Sequence, residues 1–189
     1  MLALLLREAG SLAPTGPAGE SRVRGVVRNI GYCAGMTFPL RVQGVDGLRE
    51  IVGQRLGPSA PVDVDSARVQ AFADATGDHQ WIHVDAERAA AEGPWGGPIA
   101  HGYLVLSLLP VLLFENLLVV ESVDAMINYG LDKLRFPAVT PVGSEVRLSA
   151  VLESLEPKAG GQLGRFALSF ETDGASKPVC AATALILFS

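Results

Sequence analysis

Hydrophobic and polar residues alternate with a period of two through most of the chain beyond residue 124. Four segments carry this alternation or an unbroken apolar run, residues 125–136, 144–157, 164–174 and 178–188, and short stretches rich in Pro and Gly separate them. A period of two is typical of strands that bury one face of a sheet. The pattern therefore predicts four strands in an antiparallel sheet, connected in chain order as a meander.

The region before residue 100 carries helical signals instead. In "SARVQAFADAT", apolar side chains recur at i, i+3 and i+4, which predicts a helix with one buried face. Asp65 or Ser66 can cap its start, and Gly77 can end it in the left-handed conformation. Shorter helices are expected over residues 45–54 and 85–92.

The most apolar segment is "YLVLSLLPVLLFENLLVV", residues 103–120. Its length approaches that of a membrane span, but Ser107, Pro110 and Glu115 interrupt it and neither flank is basic. A helix that is apolar on nearly all sides is typical of the centre of a fold. We therefore expect an α+β domain, in which an antiparallel sheet curves around one long buried helix, and no membrane segment.

Composition narrows the class of protein. The chain has 189 residues, 49% of them hydrophobic and 19% charged, and its net charge is −5. This is enough chain for one domain with a sizeable core. A negative charge without a basic cluster argues against nucleic-acid binding. Cys33 and Cys180 are too far apart to suggest a disulfide framework or a metal motif, which favours a reduced, cytoplasmic compartment.

The N-terminal segment differs from the rest of the chain. Residues 1–35 open with a short apolar run that no basic residue precedes, and continue through Gly, Pro, Ala and Ser without periodic apolar positions. This layout does not match a secretory signal and is typical of a disordered extension. It could equally be an artefact of the assumed translation start. The expected domain is residues 36–189.

The stretch "DATGDHQWIHVD" holds the first candidate for chemistry. Asp78 and His83 lie five positions apart, which is too far for one helix face but suits a loop that leaves a helix and turns back. A carboxylate and an imidazole that converge on one water can hold it and take its proton. The competing interpretation is structural: Asp78 forms an ordinary turn with Gly77, and His83 is a polar residue with satisfied hydrogen bonds.

A second candidate is "GGPIAHGYL", where glycines precede the predicted buried helix. Backbone N–H groups at a helix start have no acceptor within the helix and can bind a developing oxyanion. Gly102 would let a ligand approach this backbone closely, because it has no side chain. Taken alone, these glycines could equally meet a simple loop requirement.

Together these motifs resemble the MaoC-like dehydratase family, which includes (R)-specific enoyl-CoA hydratases and NodN-like proteins. That family combines a Gly-Asp step, an aliphatic residue and His followed by an acidic residue, and then a Gly-Pro-Ile-x-His-Gly helix start. The likeness extends over about residues 45–189 and includes "LRFPAVTPVGSEVRL". The matching positions are Gly77-Asp78, Ile82-His83, Asp85 and the run from Gly97 to Gly102.

The resemblance implies a hotdog fold and hydration of a trans-2-enoyl thioester of CoA, without a metal or a redox cofactor. It implies that Asp78 and His83 activate the water and that the Gly102 N–H binds the thioester oxygen. Gln80-Trp81 stands where the family often has Asn-Pro, which favours the NodN-like branch. Further substrate contacts are expected from Gln80, Trp81, Gly97, Ile99, His101 and Ser107.

Several alternatives stay open at this point. His101 could be structural, and the Ser107 hydroxyl could bond a carbonyl of its own helix. The same fold could hydrolyse acyl-CoA thioesters, or bind acyl thioesters or a partner without catalysis. Because a single small sheet leaves one edge uncovered, we expect a homodimer.

Overall fold

The computed structural model describes residues 39–189, and the expected N-terminal extension, residues 1–35, lies outside the described residues. The helices are α1 (Gly44–Glu50), α2 (Ser66–Thr76), α3 (Trp81–Val84), α4 (Ala86–Glu92) and α5 (Gly102–Ser107), followed by a π-helical segment (Pro110–Glu115). The strands are β1 (Leu40–Gln43), β2 (Arg55–Leu56), β3 (Val62–Val64), β4 (Leu118–Glu121), β5 (Met126–Arg135), β6 (Ser144–Lys158), β7 (Gly161–Thr172) and β8 (Cys180–Phe188).

The helix that leads into the candidate loop has the ends expected from the sequence. Asp65 caps α2, and its side chain accepts a hydrogen bond from the Arg68 N–H. Gly77 ends the helix with φ of 77°, a conformation that glycine adopts without steric cost. The chain therefore leaves α2 at a defined angle, directly before Asp78.

The first helix is shorter than the sequence predicts. The helical spacing favours residues 45–54, but α1 ends at Glu50. Beyond that point the chain turns, and the Gly53 N–H donates to the Leu152 carbonyl of β6 at 2.8 Å. Pairing with the sheet thus takes over the backbone groups that a longer helix would have used.

One large sheet runs in the order β2-β6-β7-β8-β5, with β3 also paired to β6, and its pairings are antiparallel. The four strands expected from the alternation are all present. Their inward side chains form much of the core, led by Phe166, Phe170 and Phe188, which are fully buried. The expected meander is correct for β6, β7 and β8 but wrong for β5, which pairs with β8.

The connection between β5 and β6 accounts for this order. The Ala100 N–H donates to the Thr140 carbonyl at 2.8 Å, and the Val142 N–H donates to the Pro98 carbonyl at 2.9 Å. The connection is therefore held against the segment before α5 while it crosses from β5, at one edge of the sheet, to β6, which lies between β7 and the short strands β2 and β3. Alternation cannot reveal this crossing, because a strand buries the same face at either edge.

The apolar segment 103–120 does not form the one long helix that was expected. α5 ends at Ser107, the π-helical segment starts at Pro110, and the last residues form β4, which pairs in parallel with β1. Proline has no N–H to donate and its ring crowds the preceding turn, so a regular helix cannot pass through Pro110 unchanged. None of the helices within residues 39–189 is long and apolar enough to span a membrane.

The core lies between these helical segments and the large sheet. Phe114 of the π-helical segment meets Phe166 and Phe188 edge-on, at centroid distances of 6.3 and 6.4 Å. Burial raises the pKa of the free Cys180 thiol to about 12, so this side chain is an unreactive packing group. The expected burial of the helical segments is confirmed for Leu104, Val105, Leu108, Leu109, Leu112 and Leu113, each at most 6% exposed.

Candidate active site

A short helix inside the predicted loop shapes the site. After Gly77, residues 78–80 turn the chain, and α3 then carries His83. Asp85 starts α4 directly afterwards by accepting a hydrogen bond from the Arg88 N–H. The loop is thus anchored by a helix at each end, which restricts where Asp78 and His83 can lie.

The structure brings Asp78 and His83 together and adds His101 as a third member. One carboxylate oxygen of Asp78 and one ring nitrogen of each histidine all lie within 4.8 Å of one another. Two hydrogen bonds of about 2.8 Å that meet at one water span roughly 4.5 Å, so one water can bridge Asp78 and His83. The Asp78 side chain is 55% exposed and the His101 side chain 3%, so the group extends from solvent into the fold.

The hydrogen bond of His83 determines which ring nitrogen is free. Nδ1 of His83 lies 2.6 Å from the Ile99 carbonyl oxygen. A carbonyl oxygen only accepts, so Nδ1 must donate and carries the proton. In the neutral ring, Nε2 therefore holds the lone pair and is the nitrogen able to take a proton.

The surroundings of His83 favour that neutral ring. Burial lowers the pKa of His83 below its ordinary value of 6.5, against the Ile99 carbonyl, which raises it. His101 lowers the pKa further, and the Asp78 carboxylate raises it. An imidazole kept neutral near pH 7 is suited to act as a general base.

His101 faces the protein, and its ring is buried. Its Nε2 donates to the backbone carbonyl of Asp78 at 2.9 Å. Its ring stacks on that of His83, with centroids 3.8 Å apart and planes at 29°, and Phe72 packs at a centroid distance of 5.1 Å. Because Nε2 is committed to a carbonyl, it could ligate a cation only by giving up this bond.

Gly102 begins α5 and lies against an aromatic ring. A Cβ placed on Gly102 would lie 2.9 Å from two ring carbons of Phe136, closer than side chains approach one another. Phe136 also meets Tyr103 edge-on at 5.7 Å. Residue 102 must therefore be glycine for Phe136 to pack here, whatever else this backbone does.

The remaining predicted contact residues do not all lie in one place. Gln80 is exposed and precedes α3, whose first residue, Trp81, has the Arg88 guanidinium 4.6 Å above its ring. Gly97 is partly buried in the loop before Ile99. Ile99 is 7% exposed, so its carbonyl, rather than its side chain, is the part that reaches the site.

Ser107 lies beside an apolar cavity of about 390 Å³ between the helical segments and the sheet. Its hydroxyl donates to the Leu104 carbonyl at 2.7 Å, which is the helix contact that the sequence left open. The cavity walls include Leu106, Leu109, Gly130, Leu131 and Ile186.

Two contributors to the site were missed by sequence reasoning. The Ile99 carbonyl orients His83 across 16 positions of chain, and Phe136 covers Gly102. No local signal marks the first, because a carbonyl belongs to every residue. The second lies at the end of the predicted strand 125–136, where the alternation gives no sign of a contact with Gly102.

The family model for the MaoC like domain matches residues 48–168. This range is more than half of the chain and contains both loops that form the site. The chain belongs to the MaoC-like dehydratase family. The resemblance seen in the motifs is thereby confirmed.

Named relatives of this MaoC-like protein span most of its length. It is 44% identical over 147 residues to 3-hydroxyacyl-thioester dehydratase Z of Mycobacterium tuberculosis, a match that covers 77% of this chain and 96% of that protein. It is 40% identical over 132 residues to nodulation protein N of Rhizobium leguminosarum bv. viciae, which covers 69% of this chain and 82% of that one.

A solved structure supports the assignment to this family and its fold. The unliganded R-hydratase PhaJ1 of Pseudomonas aeruginosa superposes with a TM-score of 0.59 and 26% identity, covering 72% of this chain and 81% of that chain. The expected hotdog fold is confirmed, with the corrections to helix length and strand order described for the fold. The MaoC-like protein is an enzyme of the hydro-lyase class, as the resemblance implied.

Proposed function

We propose that this MaoC-like protein interconverts a trans-2-enoyl thioester and an (R)-3-hydroxyacyl thioester, with CoA as the carrier. The observation that carries the proposal is the convergence of Asp78 and a His83 ring of fixed tautomer across a gap that one water can fill. The names of two relatives, a 3-hydroxyacyl-thioester dehydratase and an R-hydratase, support the substrate class and the hand of the product.

The reaction balances with protein groups and water alone. A water held between Asp78 and His83 gives a proton to Nε2 of His83 while its oxygen bonds to C3 of the enoyl group. The C2–C3 π electrons form a double bond between C1 and C2, and the carbonyl π electrons move onto the thioester oxygen, which gives an enolate. C2 then takes the proton back from the His83 imidazolium, and one water has been added across the double bond. Dehydration is the same sequence in reverse.

The other groups are assigned by their position. The Asp78 carboxylate accepts the second hydrogen bond of the water and orients it. The Gly102 N–H is our candidate donor to the enolate oxygen, because Gly102 starts α5 and follows His101, whose ring lies on His83. First-turn N–H groups have no acceptor within their helix, and one such donor typically contributes about 3 kcal/mol to transition-state stabilisation.

Asp78→Asn tests the proposal, because it removes the charge and keeps the shape of the side chain. We expect kcat/KM for hydration to fall by about 10²- to 10⁴-fold, measured as loss of enoyl-thioester absorbance, with the fold checked by circular dichroism. Asp74→Asn is the matched control: Asp74 lies on α2 and bonds the exposed His79, so its loss should leave the rate unchanged. Wild-type rates in folded Asp78→Asn would contradict the proposal.

The same reaction mixtures separate hydration from the alternatives. A thiol-reactive dye detects free CoA, which hydrolysis releases and hydration does not. Free thiol without hydroxyacyl product would identify a thioesterase. Tight binding of crotonyl-CoA without turnover would identify a binding module.

We further propose that the reaction needs no metal and no redox cofactor, since each step of the hydration uses only protein groups and water. Dialysis against a chelator should then leave the rate unchanged. A fall in rate that a divalent metal restores would contradict this. A cytoplasmic location is also proposed, and cell fractionation tests it.

We also propose a homodimer that forms along β5. Within residues 39–189, β5 is the last strand of the large sheet. Met126, Ile127, Tyr129 and Leu131 on this strand are between 42% and 51% exposed, and a second copy paired along β5 would cover them. Light scattering should report a dimer at micromolar concentration, and Ile127→Lys should weaken it. A monomeric wild type would contradict the proposal.

A further inference from the structure

The resemblance assigned His101 to the substrate contacts, and the structure encloses its ring among protein groups. Its side chain is 3% exposed, with His83 stacked at 3.8 Å and Phe72 packed at 5.1 Å. Its Nε2 is occupied by the Asp78 carbonyl, and its Nδ1 is buried. A residue enclosed in this way acts on the reaction only through the groups that it touches.

The first of those groups is the Asp78 loop. The hydrogen bond from His101 to the Asp78 carbonyl connects positions 23 residues apart, so it ties an exposed turn to the buried start of α5. The Asp78 side chain is 55% exposed and its carboxylate lies 4.0 Å from the same His101 Nε2, so the position of its backbone determines where the carboxylate can reach. A donor from the rigid interior fixes the point from which the carboxylate extends.

The second group is the His83 ring. The His101 ring covers one face of it, and the Ile99 carbonyl holds its Nδ1. The stack limits rotation of the imidazole and keeps water from that face. The titratable groups acting on His83 are then Asp78, from the loop, and His101 itself.

We propose that His101 is a positioning residue that holds the Asp78 backbone and the His83 ring in register, so that both face one water. This inference rests on the proposed hydratase function and assigns His101 a role other than substrate contact. A displacement of about 1 Å at a reacting group can cost roughly 100-fold in rate. His101 therefore has a large effect without touching the reacting atoms.

Two substitutions separate the parts of this role. His101→Gln keeps an N–H donor for the Asp78 carbonyl and removes the ring, whereas His101→Phe keeps a ring on His83 and removes the donor. Each should lower kcat for enoyl-thioester hydration by about 10- to 100-fold, while KM changes by no more than about threefold, because neither variant alters a substrate contact. His79→Gln is the matched control on an exposed histidine and should behave as wild type.

A titration of His83 by NMR gives a readout that a merely structural residue would not move. In His101→Gln, water gains access to the His83 ring, so the pKa of His83 should rise toward 6.5. In His101→Phe the ring remains covered, so the pKa should stay lowered. The acid limb of the pH–rate profile should shift in the same way.

The outcomes are separable. The inference is wrong if folded His101→Gln and His101→Phe both keep wild-type kcat. It is also wrong if kcat falls only with thermal stability and the His83 titration does not move in His101→Gln. Should His101→Phe fail to fold, His101→Gln and its titration decide. Should the wild type not hydrate enoyl thioesters, the proposed function fails, while the His83 titration still shows whether His101 positions the ring.

Discussion

The protein contains two Asp–His pairs of identical spacing, one exposed and one partly buried. Asp74 and His79 are five residues apart, as are Asp78 and His83. In the exposed pair, the carboxylate and Nε2 bond directly at 2.8 Å, with side chains 61% and 50% exposed. In the inner pair, the two groups lie across a gap of up to 4.8 Å, and the imidazole bonds a backbone carbonyl instead.

The same two residue types therefore acquire opposite electrostatic properties. The hydrogen bond that His79 donates to the Asp74 carboxylate raises the pKa of His79, whereas burial lowers the pKa of His83. The Nε2 of His79 is already bonded to the Asp74 carboxylate at the protein surface, so it is not free to accept a proton from a water. The comparison shows that the surroundings of an Asp–His pair, and not its spacing, determine the direction in which the pKa of its histidine shifts.

The largest expected effect is the loss of the inner imidazole. His83→Ala removes the proposed base and should lower kcat/KM for hydration by about 10²- to 10⁴-fold. The same substitution at the exposed position, His79→Ala, should leave the rate unchanged, and both are measured by enoyl-thioester absorbance at equal protein concentration. Equal rates in the two variants would remove the functional difference between the pairs.

The next effect concerns the close packing beside the inner pair. Gly102→Ala places a methyl group against the Phe136 ring, so either this ring or the start of α5 must shift. We expect α5 and its first N–H to move, and kcat to fall by about 10²-fold. Phe136→Ala makes room, so the double variant should recover part of the loss if the clash is the cause. A double variant that is no faster than Gly102→Ala would show that the collision is not what displaces the donor.

The exposed and inner pairs also show where sequence reasoning stops. The turn at Gly77 and the Asp65 cap were predictable, because each depends on residues within one helical turn. The bonds that distinguish the inner pair from the exposed pair are those from His83 to the Ile99 carbonyl and from His101 to the Asp78 carbonyl. They join residues 16 and 23 positions apart and end on backbone carbonyls. Such contacts leave no pattern in one sequence, since any residue supplies a carbonyl.

The fold, like the site, has features that the sequence predicts and features that depend on distant contacts. Alternation identified the strands, but it could not assign β5 to the edge beside β8, because that position depends on a crossing of the chain through residues 138–142. The interruption at Pro110 had a visible signal. The sequence prediction used this proline only as an argument against a membrane span and kept the helix continuous. Because proline lacks an N–H, it divides the segment.

A pH titration should show the pKa of His79 above 6.5 and the pKa of His83 below it. His83 must be neutral to act as a base, so kcat/KM should fall only below pH 6.5, through its lowered pKa. Its contribution to the free energy of unfolding is full above 6.5 and is lost as pH falls through that lowered pKa. The contribution of His79 is present below 6.5 and is lost as pH rises through its raised pKa.

NMR of the carbon-bound ring protons of His79 and His83 gives the two pKa values, and kcat/KM is measured between about pH 5 and 8. The two histidines serve as controls for each other in one spectrum. A His83 titration at or above 6.5, or an acid limb of the rate at that pH, would mean that the ring is not kept neutral by its surroundings.

The smallest expected effect is on the exposed pair itself. Asp74→Asn removes the carboxylate that bonds His79, so the pKa of His79 should return toward 6.5, while the free energy of unfolding changes little because exposed ion pairs contribute little. The His79 shift should also shrink in the wild type as salt is added, since the attraction is screened by water and ions. The His83 titration should not respond to either change. If it moves with Asp74→Asn, the two pairs are coupled through the residues between them, and burial alone does not account for their difference.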